Sequence, residues 1–235
     1  MEQIELRGVT KSFSKGKDRV VAVTNINLAI AKGTFLSITG ASGSGKTTLL
    51  RLIGGLERPS AGSIWVANTD LSKLRFFRRR RFVKETISTM HRNIDVRGYR
   101  TALDMVAKAL PRSVSKEDRL LRAAKMLERV DLTKRASHRP FQLSGGEQRR
   151  LALARALVTG RPIVLAEEPT GQVDPLTAKG LLELMREINS QSGTTFVIVT
   201  DSETLAREAT RTIRLEEGRI VYDHTRTFTP LSRGG

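Results

Sequence analysis

The stretch Phe35-Leu36-Ser37-Ile38-Thr39-Gly40-Ala41-Ser42-Gly43-Ser44-Gly45-Lys46-Thr47-Thr48-Leu49-Leu50-Arg51-Leu52-Ile53 decides how the chain is read. It opens with a short apolar run of buried-strand length, Phe35 to Ile38. It closes with Leu49, Leu50, Leu52 and Ile53 at helical spacing. Between them, Gly40 to Thr47 spells G-x-x-x-x-G-K-T, in the strand-then-helix context that a phosphate-binding loop requires. Gly40, Gly43 and Gly45 let the backbone curl until its N–H groups converge on an anion. The new helix adds the positive end of its dipole, Lys46 a mobile charge, and Thr47 a hydroxyl for Mg²⁺. The loop suits the phosphates of a nucleoside triphosphate, with Gly40, Ser42, Gly43, Ser44, Gly45, Lys46, Thr47 and Thr48 as expected contacts.

Upstream of this loop the chain reads as β-rich: Ile4-Glu5-Leu6 and then Val20 to Ile30, with a turn at Ser14-Lys15-Gly16-Lys17-Asp18. Downstream, Gly54-Gly55 stops the first helix, and Pro59 to Gly62 turns into a strand at Ser63 to Val66. From about Lys84 to Thr159 the pattern is helical. One helix spans Thr101 to Leu110 and stops at Pro111. A second starts at Ser115-Lys116-Glu117-Asp118, and a third runs from about Glu147 to Val158 with Leu151, Ala154, Leu157 and Val158 as its apolar stripe. Strand chemistry returns at Pro162 to Ala166. Asp174-Pro175 then opens a helix carrying Leu181, Leu182, Leu184, Met185 and Ile188. Phe196 to Val199 reads as a core strand, and Ile213 to Leu215 and Arg219 to Tyr222 as a hairpin about Glu217-Gly218.

The fold class expected is therefore α/β, a P-loop core with an N-terminal antiparallel β subdomain and an inserted helical subdomain. Residues 1–84 and 160–223 form the core of this single domain, 85–159 the helical insertion, and 224–235 a loose tail. No apolar run is long enough to span a membrane. The opening MEQIELRGVT alternates apolar and polar residues, so a first strand is expected there rather than a signal peptide, and the protein is expected to stay in the compartment where it is made. The absence of cysteine excludes disulfides, thiolate metal sites and a cysteine nucleophile.

The charge balance is basic, 41 Lys+Arg against 24 Asp+Glu for a net +17. Ten of those basic residues and only two acids fall between Leu71 and Arg100, Arg75 and Arg78 to Arg81 among them. Such a run fits either an anionic surface or a solvated basic segment. Phe76, Phe77 and Phe82 interrupt it, so part of it is expected to pack.

Phosphoryl chemistry needs a carboxylate beside the metal and a group that orients water. The apolar strand Ile163 to Ala166 ends in two acids. Glu167 is suited to reach an Mg²⁺ held by Thr47, and Glu168 to orient or deprotonate the attacking water. A further anion-binding candidate is Leu143-Ser144-Gly145-Gly146-Glu147-Gln148-Arg149-Arg150, a Gly-Gly turn feeding a helix that Ser144 caps. It follows the P-loop by about a hundred residues and precedes Glu168 by 24.

The set GASGSGKTT, LSGGEQRR and IVLAEEPTGQVD resembles the nucleotide-binding subunit of an ABC transporter, over essentially the whole chain. GGLERPSAG, TAL and the order and size of the elements resemble the branch of lipoprotein-release, macrolide-export and FtsE-type ATPases. The resemblance implies an ATPase using ATP and Mg²⁺ in a head-to-tail dimer, homo- or heteromeric. ATP would lie between the P-loop of one subunit and Ser144, Gly145, Gly146 and Gln148 of the other. Opening and closing would drive transmembrane permease subunits from the cytoplasmic face, with no nucleic acid involved. Phe13 matches the aromatic that stacks on adenine, and Asp174 the loop that crosses the dimer.

Three positions depart from that pattern. Arg92, in Met90-His91-Arg92-Asn93, stands where the family carries a metal-reaching Gln, and a guanidinium has no acceptor to offer Mg²⁺. Glu167 replaces an Asp. Asp201 replaces the switch His, and none of His91, His138 and His224 is near it in sequence. ATP binding is expected to be intact and hydrolysis slow or impaired. Two alternatives follow: a degenerate ABC subunit that senses ATP or forms half of a heterodimer, and a nucleic-acid-associated ABC ATPase. The latter relatives usually carry a second nucleotide-binding domain or long coiled-coil or zinc insertions, which this chain does not show.

Overall fold

Alternating apolar residues over the first thirty positions make a long antiparallel hairpin of β1 (Glu2–Lys15) and β2 (Asp18–Ala31). Ile4, Leu6 and Val9 of β1 and Val23, Ile26, Leu28 and Ile30 of β2 are buried on its inner side. The strands β4 (Ala61–Val66) and β5 (Thr69–Asp70) extend this sheet in the order β2-β1-β4-β5. The computed structural model describes residues 2–15, 18–92 and 98–226.

A second, six-stranded sheet is centred on β3 (Phe35–Thr39), with β6 (Ile87–Met90), β7 (Ile163–Glu167), β8 (Thr195–Val199), β9 (Arg211–Glu216) and β10 (Arg219–Thr225) in the order β10-β9-β3-β8-β7-β6. All pairs are parallel except β10 with β9. The near-continuous apolar runs of β3, β7 and β8 reflect burial on both faces. The β9–β10 turn places Glu217 and Gly218 at φ 46° and 73°, the left-handed pair that matches strand twist in a tight hairpin.

Between the two sheets lies α1 (Lys46–Ile53), whose Leu49, Leu52 and Ile53 are fully buried among Ile4, Leu6, Leu36 and Ile38. The other face of the large sheet is covered by α5 (Gly145–Leu157) and α6 (Pro175–Ser192). There Leu153, Leu181 and Met185 meet Phe35, Val164 and Phe196. The Phe35 and Phe196 rings stand 5.4 Å apart. The helical lobe is α3 (Ala102–Ala107) and α4 (Lys116–Arg129), packed on a second side of α5 through Met105, Val106, Leu127, Leu151 and Ala154. Two further helices, α2 (Phe76–Thr86) and α7 (Glu203–Glu208), flank the core.

Some elements depart from the local reading. Ile87–Met90, expected within the helical stretch, is a strand paired in parallel with β7, so the core extends past residue 84 to Met90. A four-residue strand behind a basic helix has too few apolar positions to announce itself. The helix α3 is shorter than the expected Thr101 to Leu110: at its start Thr101 caps it, its Oγ1 accepting from Asp104 N at 3.0 Å, and past its end Ala109 N and Leu110 N turn to the carbonyls of Val106 and Ala107, three residues back. The signature helix α5 starts at Gly145 rather than Glu147. At the far end, β10 continues through Thr225, with Arg211 ion-paired to Asp223 at 2.6 Å, so the expected tail loses its first two residues to the sheet. The turn residues Gly16 and Lys17 and the tail positions 227–235 lie outside the described residues.

Within the basic run only part packs: Phe82 lies against the core and Arg79 is buried, whereas Phe76, Phe77 and the remaining arginines of α2 are exposed. No helix among the described residues is long and apolar enough to cross a membrane.

Phe196→Ala removes a fully buried ring between the sheet and α6, and is expected to cost about 3–5 kcal/mol. A lowered urea midpoint with an unchanged m-value is the expected result.

Candidate nucleotide-binding and hydrolysis site

The chain leaves β3 through Gly40, Gly43 and Gly45 at φ 142°, 80° and 102°. A Cβ on Gly40 would lie 2.2 Å from the Leu215 carbonyl oxygen of β9, and one on Gly45 2.3 Å from that of Ala22 in β2. Only glycine permits either approach, and the two contacts seat the loop against both sheets. Directly after it, α1 begins with no side-chain cap and no acid in its first turn. Its first N–H groups therefore face outward with the positive dipole end behind them, a donor set suited to a polyphosphate.

Lys46 is buried, 8% exposed, beneath this loop. Its ammonium donates to the carbonyl oxygens of Gly40 at 2.6 Å and Ala41 at 2.9 Å, and pairs with Asp201 Oδ1 at 2.9 Å. Thr47 Oγ1 donates to Glu167 Oε1 at 2.9 Å, joining α1 to the end of β7. A hydroxyl and a carboxylate in contact are the hard oxygen ligands that Mg²⁺ selects. No group of three or more His, Cys, Asp or Glu among the described residues is arranged to hold a metal.

Glu168 sits one residue on, at a left-handed φ of 46° that a non-glycine residue adopts only when its surroundings impose it. Its N–H donates to Val199 O at 2.9 Å. Its Oε1 accepts from Asp201 N at 2.9 Å and its Oε2 from Thr200 Oγ1 at 3.3 Å. Burial pushes the Glu168 carboxyl above the usual range; the Asp201 N–H opposes this, the Asp201 charge adds to it, and the Arg92 charge opposes it. Adjacent acids thus face different surroundings, Glu167 beside the loop hydroxyl and Glu168 half-buried and accepting two hydrogen bonds.

The signature stretch forms a capping box. Ser144 Oγ accepts from Glu147 N at 3.3 Å, and Glu147 Oε2 from Ser144 N at 2.9 Å. Gln148 Nε2 donates to Leu143 O at 3.0 Å. A Cβ on Gly146 would lie 2.5 Å from Thr177 Cγ2. Asp174 caps α6 through that same Thr177, accepting from its N at 2.9 Å and its Oγ1 at 2.6 Å, and these bonds hold its carboxyl below the usual range. Gly145 lies near Gln172 O. The described cavities bordered by Gly40 to Ser44 or by Thr47 are lined by other parts of the core, and Ser144 to Gln148 line none of them. Phe13 pairs with Val20 at the end of the hairpin that presses on Gly45; its ring is 40% exposed and carries Lys11 Nζ at 4.8 Å. Ser42 and Gly43 are exposed, and Thr48 lies in the first turn of α1. Ser44 Oγ is buried with no hydrogen-bond partner among the described residues.

Several neighbours of the site were not legible in the sequence. Asp201 faces Lys46 rather than standing unpaired. Arg92 is exposed, but its carbonyl accepts from the buried Arg149, and both guanidiniums act on Glu168. His91, distant in sequence, lines a small cavity with Thr47 and Glu167 because β6 runs beside β7. His224 lines another with Gly40 and Asp201.

A lysine- and threonine-bearing P-loop set against strand-end carboxylates, with a capped Gly-Gly helix on an inserted lobe, defines an ATP-binding cassette. Residues 23–171 match the ABC transporter family, and the chain belongs to it. The lipoprotein-releasing system ATP-binding protein LolD of Pseudomonas syringae pv. tomato is 41% identical over 220 residues, 93% of this chain and 96% of LolD. The macrolide export ATP-binding/permease protein MacB 1 of Aeromonas hydrophila is 37% identical over 230 residues, 97% of this chain but 35% of MacB 1. The dimeric post-hydrolysis structure of the ATP-binding cassette MJ0796, bound to ADP and Pi, superposes with a TM-score of 0.88 at 34% identity, covering 96% of this chain and all of that one. The chain is thus an ABC-type ATPase subunit of the branch that its motifs resembled.

Thr47→Val keeps the side-chain shape and removes the hydroxyl that meets Glu167. Calorimetric titration of ATP with and without Mg²⁺ is expected to show the Mg²⁺-dependent gain in affinity shrinking toward none in this variant.

Proposed function

We propose that this chain is a slow ATP-driven motor subunit, working in pairs beneath a membrane permease on the cytoplasmic face. Mg-ATP is held by the loop from Gly40 to Thr48, with Phe13 against adenine and Thr47 and Glu167 on the metal side. Ser144, Gly145, Gly146 and Gln148 of a second cassette close over the triphosphate, and the segment at Asp174 crosses between the two. This arrangement is supported by the dimeric state of MJ0796.

The observation that carries the catalytic reading is the pairing of roles at the end of β7, with Thr47 bonded to Glu167 and Glu168 half-buried behind it. Glu168 takes the proton of the attacking water as the new P–O bond forms and the bond to the ADP oxygen breaks. When bound, Mg²⁺ supplies charge neutralisation on the transferring phosphoryl group. Each Glu168 oxygen accepts one protein hydrogen bond and keeps a lone pair for water. Hydrolysis is slow because Asp201 brings negative charge, where the family carries a His, to the γ-phosphate side, and because Arg92 brings no acceptor to the metal side. A second reading, a cassette that senses ATP without powering transport, draws on the same two departures.

The test is steady-state ATP turnover with Mg²⁺, alone and with the permease, beside Glu168→Gln. Slow turnover that falls by about 10²-fold or more in the variant is expected. ATP binding with no turnover in either setting would replace the motor by the sensor. The same assay run against pH is expected to lose activity on acidification at a higher pH than an ordinary glutamate would give. Glu168 acts ionised, and burial raises its pKa.

A further inference from the structure

Building on that nucleotide-binding reading, we infer that Asp201 is a specificity-determining residue: its carboxylate stands in for a terminal phosphate on Lys46, so that the open site favours a nucleoside diphosphate over a triphosphate. An ammonium has three donors, and those of Lys46 have three acceptors, the carbonyls of Gly40 and Ala41 and the carboxylate of Asp201. The 2.9 Å separation from Asp201 Oδ1 is that of a charge-assisted bond. In a loop of this kind the lysine serves the β- and γ-phosphates. The acceptor place that a γ-phosphate oxygen needs is the one Asp201 fills.

The main chain at Asp201 is fixed while its carboxylate is not. Asp201 N donates to Glu168, Ser202 N to Thr200 Oγ1 at 3.0 Å, and Ser202 caps α7. The Asp201 side chain is 65% exposed, at the edge of an open cavity of about 660 Å³ that Arg207 and Arg214 also line. A triphosphate can therefore push the carboxylate off Lys46, but the anchored backbone keeps it close to the new charge. The α- and β-phosphates rest on N–H groups of the loop and of the first turn of α1, which Asp201 does not touch. A β-phosphate that also calls on Lys46 displaces one of the neutral carbonyls of Gly40 and Ala41 and not the Asp201 charge.

The experiment is calorimetric titration of ADP and of the non-hydrolysable analogue AMP-PNP, each with Mg²⁺, into the full chain and into Asp201→Asn and Asp201→Glu. The unaltered chain is expected to bind ADP about tenfold or more tightly than AMP-PNP. Asp201→Asn is expected to erase most of that ratio by tightening AMP-PNP, with ADP affinity within about threefold; Asp201→Glu, which keeps the charge, is expected to retain it. Asp201→Ala serves equally if the Asn variant melts early. Equal affinities in the unaltered chain, or a parallel change for both nucleotides in Asp201→Asn, would overturn the inference while leaving the nucleotide site intact. Failure of either nucleotide to bind would overturn the nucleotide-binding reading and this inference with it.

Discussion

Parallel pairing of β3, β8 and β7 is the constraint on which the site depends. Ile38 lies opposite Val199, and Val199 opposite Glu167, so three strands end at one edge. From that edge emerge the phosphate loop, the Glu167-Glu168 pair and the Thr200-Asp201 turn. Groups separated by more than 150 positions of sequence thereby come within hydrogen-bond reach, as with Lys46 and Asp201. Crevices beyond the carboxyl ends of parallel strands are where α/β sheets bind ligands, for this reason of convergence.

Charge at that edge is balanced within the protein. A buried ammonium is costly unless its donors are met, and Lys46 meets two carbonyls and one carboxylate. Glu168 is met by an N–H and a hydroxyl, and two arginines reach it electrostatically. Asp201 joins the two halves, its side chain serving Lys46 and its N–H serving Glu168. A residue that differs from the family pattern at one position therefore touches both Lys46 and Glu168.

The helix α5 links this edge to the helical lobe. It buries Leu153 against the large sheet and Leu151 and Ala154 in the lobe, so it belongs to both cores. Its first residues form the signature, capped by Ser144, and its buried Arg149 holds the carbonyl of Arg92 just past β6. Gly146 and Asp174 meet at Thr177, tying the signature to the start of α6. Packing and hydrogen bonds thus join the lobe to Arg92 just past β6 and to Asp174 just before α6.

The sequence by itself determined the parts whose signals are local. Gly40, Gly43, Gly45 and Lys46 announce the loop because backbone curvature and a phosphate-reaching cation need those residue types at that spacing. The caps at Ser115, Ser144 and Asp174, the buried strands and the β9–β10 hairpin were legible for the same reason, since propensity and short-range hydrogen bonds act over a few residues. What only the tertiary structure decided is long-range. That β6 is a strand at all depends on β7 lying beside it, and the approach of His91 to Thr47 and Glu167 follows from that pairing. The partner of Asp201 likewise depends on where two strands end. The carboxylate that stands where the family carries the switch His turns out to neutralise the lysine, because electrostatic partners are chosen by distance in space, which no local pattern records.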